Sequence, residues 1–208
     1  MAWGDRAPRH PDPDLEEPAM EKKSVDIVGI SGSLRAASFN SMALGLAGQL
    51  LPDGVALDII DWRSVPPFDA DMLATGFPAE VMAVRERVRR ADGVLIATPE
   101  YNFSLPGMLK NLLDWLSRGD DQPLSGKPIA IVSAATGPLG GARVQYDLRR
   151  VLLFVNAMVM PKPEVFIGQA QTKFTADGHC TDEATVKFLQ AQMQAFASWI
   201  PAIRRMHG

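Results

Sequence analysis

Two loops carry the side chains with the clearest chemical use. Residues 31–40 read SGSLRAASFN and follow the apolar run of residues 25–30. Residues 98–107 read TPEYNFSLPG and follow the apolar run of residues 93–97. In the first loop, Gly32 lets the backbone turn closely. Ser33, Ser38, Asn40 and Ser41 offer hydroxyl and amide donors, and Arg35 offers charge-assisted ones. A helix opening near Asn40 would aim its free N–H groups at the same point, which is the geometry of a phosphate site. An ordinary strand-to-helix turn using Ser and Asn as caps explains the same residues. In the second loop, Pro99 and Pro106 stiffen the two ends. Glu100, Tyr101 and Asn102 are consecutive, so backbone and side-chain groups can face the edge of one flat polar ring. A rigid capped turn with a structural tyrosine is the alternative there.

The first loop lacks both the G-x-G-x-x-G dinucleotide pattern and the G-x-x-x-x-G-K-[ST] pattern. A monophosphate such as FMN therefore fits the pair of loops better than NAD or ATP as the tightly held ligand. A third segment, SAATGPLGG at residues 133–141, could approach the other side of the ring, because Gly137, Gly140 and Gly141 permit close backbone contact. A plain loop accounts for it equally well. His10, His179 and His207 lie in polar or terminal segments and read as solvated surface residues. Hydride transfer to a flavin requires no protein base, in keeping with that. Cys180 lies outside the first loop, so a thiol phosphatase reading fails, and His179 with Cys180 lacks the further ligands of a metal site.

These loops need a scaffold, and the chain alternates strand and helix signals. Strands are expected at residues 25–30, 55–60, 93–97 and 128–134, with a proline-interrupted fifth within 159–167. Helices are expected at 40–51, from Pro78 through the valine stripe Val81, Val84 and Val88, at 104–118, at 139–155 and at 181–206. Arg85, Arg87, Arg89 and Arg90 crowd the second half of the Pro78 helix, where they suit its dipole. Gly119 ends the helix of 104–118, and Pro201 should kink or shorten the last one. Residues 61–77 read as a long loop. The βα alternation predicts an α/β fold, a flavodoxin-like three-layer sandwich with a five-stranded parallel sheet in the order 2-1-3-4-5. In that order strands 1, 3 and 4 are neighbours at the switch point, and the three polar loops follow those strands.

With 208 residues and 47% hydrophobic content the chain can bury one core. Residues 1–23 hold four prolines, many charges and few apolar side chains, and read as a flexible arm before a domain at 24–208. A net charge of -3 argues against nucleic acid as a partner. No apolar run approaches a membrane span. A single cysteine excludes an intrachain disulfide framework and fits a cytoplasmic setting.

SLRAASFN at 33–40, PEYN at 99–102 and PGMLKNLLDWLSR at 106–118 together resemble the NADPH-dependent FMN reductase family, which includes bacterial chromate and quinone reductases and related azoreductases. The resemblance spans about residues 25–165. It implies a flavodoxin-like fold, bound FMN with NADPH or NADH as co-substrate, and a homodimer or homotetramer. It implies a cofactor-binding set of Ser33, Leu34, Arg35, Ser38, Phe39, Asn40 and Ser41 at the phosphate, Pro99, Glu100, Tyr101, Asn102 and Phe103 at the ribityl chain and ring, and Ser133 against the flavin. Arg118 would contact the nicotinamide or form an inter-subunit pair. Trp115 and the helix at 139–155 could supply a self-complementary interface. The expected activity passes electrons through the flavin to small-molecule acceptors: quinones, nitro or azo compounds, metal oxyanions such as chromate, or free flavin. A flavodoxin-like electron carrier or flavin-binding regulator without turnover stays open beside it.

Overall fold

The computed structural model describes residues 24–207, so the arm expected at 1–23 lies outside the described residues. Six strands and six α-helices follow in the order β1 (Val25–Ser31), α1 (Phe39–Gln49), β2 (Val55–Ile59), α2 (Ala70–Ala74), α3 (Ala79–Arg90), β3 (Gly93–Thr98), α4 (Gly107–Leu116), β4 (Pro128–Ala134), α5 (Ala142–Phe154), β5 (Met158–Val159), β6 (Val165–Ile167) and α6 (Glu183–His207). The sheet is parallel, in the order β2-β1-β3-β4-β5, and β6 also pairs with β4. β5 and β6 are two pieces of one edge strand. Pro128 and Ile129 pair with β5, and Val132 to Ala134 pair with β6. Pro161 and Pro163 lie between the pieces, and without N–H groups they cannot continue the ladder.

The central strands are apolar on both faces because both faces are covered. Val28, Ile30, Val94, Ile96, Ile129 and Ile131 pack against α3, α4 and α5. Ile27, Leu95, Ala97, Ala130 and Val132 pack against α1 and α6. The stripe Leu189, Met193, Phe196, Ile200 and Ile203 of α6 is buried. Removing one such ring, as in Phe196→Ala, costs about 3–5 kcal/mol.

Several local expectations differ from the structure for identifiable reasons. The helix expected from Ser104 begins at Gly107, because Ser104 turns back to pair with Tyr101. The helix expected from Leu139 begins at Ala142, because Gly140 and Gly141 adopt positive φ of 59° and 77°. Residues 61–77 contain α2, capped by Asp69. Pro78 is the cap of α3 and not its first residue. Pro201 does not shorten α6, where Ile200 and Ile203 hold the flanking turns in the core. Arg85 is not a solvated dipole partner. It is fully buried, donates to the Trp115 carbonyl and Asp121, and stacks on Phe77 at 4.2 Å. Trp115 is also fully buried, with its Nε1 donating to the Pro66 carbonyl, so it belongs to the core and cannot supply an interface.

Candidate cofactor cleft

The carboxyl ends of β1, β3 and β4 lie side by side, and their loops meet. Gly32 sets the closeness of the first two. Its N–H donates to the Ala97 carbonyl at 2.7 Å. A Cβ at Gly32 would sit 2.9 Å from Thr98 Oγ1 and 3.2 Å from Thr98 Cα, so only glycine fits without displacement. Ser38 then caps α1, its hydroxyl accepting from the N–H groups of Asn40 and Ser41. Asn40 ties the first loop to the third. Its Nδ2 donates to the Ala134 carbonyl at 3.0 Å, and its Oδ1 accepts from the Ala134 N–H at 2.9 Å.

Between these loops lies a cleft of about 260 Å³. It is lined by Ser33, Arg35, Ser38, Phe39 and Asn40 from the first loop, Pro99, Glu100 and Tyr101 from the second, and Ala134 to Thr136 from the third. The N–H of Phe39, the first residue of α1, has no acceptor among the described residues. Among the described residues Arg35 is the one cation in the lining, with its guanidinium 5.4 Å from the Phe39 ring. Glu100 does not oppose an anion here. Its carboxylate accepts from Arg143 Nε at 2.6 Å and from the Val144 N–H at 3.3 Å, so it clamps the second loop to the start of α5.

The expected set divides into three groups. Eight of its residues share the cleft: Ser33, Arg35, Ser38, Phe39, Asn40, Pro99, Glu100 and Tyr101. Leu34 and Ser41 line a neighbouring cavity on the far side of the first loop. Asn102, Phe103 and Ser133 do not line the cleft. Asn102 and Phe103 form a two-residue turn, both at positive φ (50° and 70°), closed by hydrogen bonds between Tyr101 and Ser104. Phe103 is 68% exposed, and the Arg143 guanidinium stands 3.8 Å from its ring centroid. Ser133 is fully buried, its hydroxyl donating to the Gly140 carbonyl and accepting from Gln145 Nε2. Ser133 therefore shapes the third loop from beneath. Arg118 lies over Phe68 at 4.7 Å and lines a different cavity, beside Val151 and Phe154. Arg143 and Gln145 carried no signal in sequence, since their partners are distant along the chain.

A polar cleft between three loops, with an unused N–H at the start of α1 and a cation in its lining, suits a nucleotide monophosphate carrying a planar ring. Together with the doubly wound sheet it defines a flavodoxin-like flavoprotein. The model of the family described as NADPH-dependent FMN reductase matches residues 25–172. An NAD(P)H-dependent FMN reductase of Pseudomonas aeruginosa is 45% identical over 180 residues, covering 86% of this chain and 97% of that protein. A quinone reductase of Escherichia coli is 43% identical over 185 residues, covering 88% and 98%. Among solved structures, the flavoenzyme NAD(P)H:(acceptor) oxidoreductase FerB of Paracoccus denitrificans superposes with a TM-score of 0.78 at 35% identity, covering 86% of this chain and 98% of that one. The chain belongs to the NADPH-dependent FMN reductase family. It is an oxidoreductase that uses FMN and takes electrons from NAD(P)H.

Proposed function

We propose that the preferred terminal acceptor is a quinone, reduced by two electrons at the open mouth of the cleft. The observation that carries this reading is the cleft itself. One side is a phosphate cradle, and the other opens beside Tyr101, which is 52% exposed. When bound, FMN supplies the two-electron relay between NAD(P)H and the acceptor. The Phe39 N–H and the Arg35 guanidinium would hold the phosphate. Ser33 and Ser38 donate to its remaining oxygens or to the ribityl hydroxyls. Pro99 and Tyr101 wall the ring, and backbone groups of the second loop face its polar edge. Glu100 acts at one remove, by holding that loop against Arg143 and α5. Among the described residues no histidine lines the cleft, and the one proton that completes the reduced quinone comes from water at its mouth.

Relatives named quinone reductase favour this acceptor. Nitro and azo compounds, chromate and free flavin are the competing acceptors. Turnover measured against each, with NADPH in excess, decides the order. A quinone should give the highest kcat/KM, and a higher value for any other acceptor removes the proposal. A flavodoxin-like carrier would show no sustained NAD(P)H consumption with any of them. Replacing Arg35 by Ala should weaken FMN retention about tenfold, the loss of one charge-assisted contact. Unchanged retention removes Arg35 from the phosphate site.

We further place the chain in the cytoplasm, as a homodimer or homotetramer with an arm at residues 1–23 and one domain at 24–208. Leu153 and Phe154 at the end of α5 are 77% and 86% exposed, and they favour self-association there. Light scattering on the wild type and on Phe154→Glu tests this, and a monomeric wild type contradicts it. Among the described residues no helix is long and apolar enough to cross a membrane.

A further inference from the structure

The cofactor cleft shares one wall with a second cavity, of about 250 Å³, on the opposite side of the first loop. Ser33 and Arg35 line both. The outer wall of the second cavity comes from the end of β2 and the residues just after it. Two apolar side chains face it with unused surface, Leu34 at 37% and Ile59 at 44% exposure. Two cations stand in its lining, Arg35 and Arg63. Arg63 is placed there by its neighbour. Trp62 is buried and donates from Nε1 to the Ser31 carbonyl at 3.1 Å, which pins the chain leaving β2 against the first loop.

Among the described residues Arg63 has one loose side-chain partner. Its guanidinium lies 3.4 Å from Asp61, and both side chains are mostly exposed. Such a pair is weak in water, so Arg63 can exchange it for a stronger anion at little cost. A phosphate on the FMN side of the loop accounts for Arg35 but leaves Arg63, Leu34 and Ile59 without a role. A ligand that reaches both cavities must carry a flat apolar group and a second anion some distance from the part that enters the cleft. The donor nucleotide has that chemistry. Its nicotinamide belongs at the cleft, and its other end is a base on a ribose.

We propose that the second cavity holds the 2′-phosphoadenosine end of NADPH, with Arg63 on the 2′-phosphate and the adenine between Leu34 and Ile59. Arg35 lies on the shared wall, where it faces the phosphates of both ligands. Asp61 sets the opposite preference, because its carboxylate repels a 2′-phosphate and accepts from a 2′-hydroxyl. The Asp61 and Arg63 pair is therefore the selector between NADH and NADPH. The proposal rests on the reductase reading above and adds the donor's specificity site to it.

The test uses the FMN-loaded protein with a quinone acceptor. Arg63→Ala should raise KM for NADPH about tenfold, as expected for one charge-assisted contact. KM for NADH, kcat with either donor and FMN content should stay within about twofold of wild type, a margin small against that tenfold change. Arg63→Lys should recover most of the loss. Asp61→Asn should lower KM for NADPH and raise it for NADH, a sign reversal that a merely structural role would not produce. Adenosine 2′,5′-bisphosphate should compete with NADPH in wild type and lose about tenfold in affinity in Arg63→Ala. Equal changes for both donors, no change, or loss of FMN in Arg63→Ala each overturn the proposal. A wild type that reduces quinone with NADH but is not inhibited by the bisphosphate overturns the subsite alone. A wild type that oxidises neither donor overturns the reductase reading as well.

Discussion

Gly32→Ala probes the contact on which the cleft depends. The added methyl would meet Thr98 Oγ1 at 2.9 Å, Leu109 Cδ2 at 3.0 Å and Thr98 Cα at 3.2 Å. None of these can withdraw easily. Thr98 and Leu109 are both fully buried, and the Thr98 hydroxyl is held by the Pro99 carbonyl at 3.0 Å. The first loop must instead move away from β3, stretching the 2.7 Å bond from Gly32 to Ala97. Overpacking of this kind costs about 1–3 kcal/mol. Because the loops on both sides of the cleft separate, FMN affinity should fall about tenfold, equivalent to about 1.4 kcal/mol. Urea denaturation and FMN titration of the apoprotein read the two effects. Gly45→Ala is the matched control. Gly45 lies within α1, and its Cβ would meet nothing within 4 Å. That variant should gain about 0.5–1 kcal/mol from helix propensity and bind FMN as wild type does. If Gly32→Ala is as stable as wild type and holds FMN equally, the close approach of the two loops is wrong.

Phe103→Gly should stabilise the protein, because a bulky side chain at φ 70° is strained by about 1 kcal/mol or more; a loss of stability in urea would mean that the stack under Arg143 outweighs the strain. Glu100→Gln should loosen the clamp on the second loop, lowering the denaturation midpoint and raising KM for the acceptor with FMN content little changed; an unaltered midpoint would show that the clamp carries no stability. Asp182 accepts from the hydroxyl and N–H of Thr185 at the start of α6, which holds its carboxyl below the ordinary 3.8. A lowered folded value means that its contribution is complete above about pH 4 and is lost as pH falls through the folded value. Asp182→Ala should therefore destabilise at neutral pH and flatten the melting temperature against pH below 4; parallel wild-type and variant curves would contradict this.

The scaffold was legible because its signals are local. Buried parallel strands read as short apolar runs, and the polar, glycine-bearing segments after strands 1, 3 and 4 already marked the meeting point. The loops and the missing dinucleotide patterns narrowed the ligand to a monophosphate such as FMN, and the family resemblance supplied the reductase activity and its donor. What could not be read depends on partners far along the chain. Asn40 looks like a phosphate donor in isolation, yet most of its amide is engaged by Ala134, 94 residues away. Glu100 looks like a ring contact, yet its carboxylate is held by Arg143 and the α5 N-terminus. Arg85 sits among surface arginines in the sequence but fills the space beside Phe77 and Trp115. Helix starts moved for a related reason. Asn102 tolerates the left-handed turn that delays α4, but a turn carrying Phe103 at positive φ has no such sequence sign.

The most direct measurement of the central claim is anaerobic. The protein is loaded with FMN, freed of excess cofactor, and given one equivalent of NADPH while the visible flavin absorbance is followed. The account predicts bleaching of the bound flavin, then full return of the absorbance when one equivalent of a quinone is added. Failure to retain FMN, or bound flavin that stays oxidised with both NADPH and NADH, would contradict it.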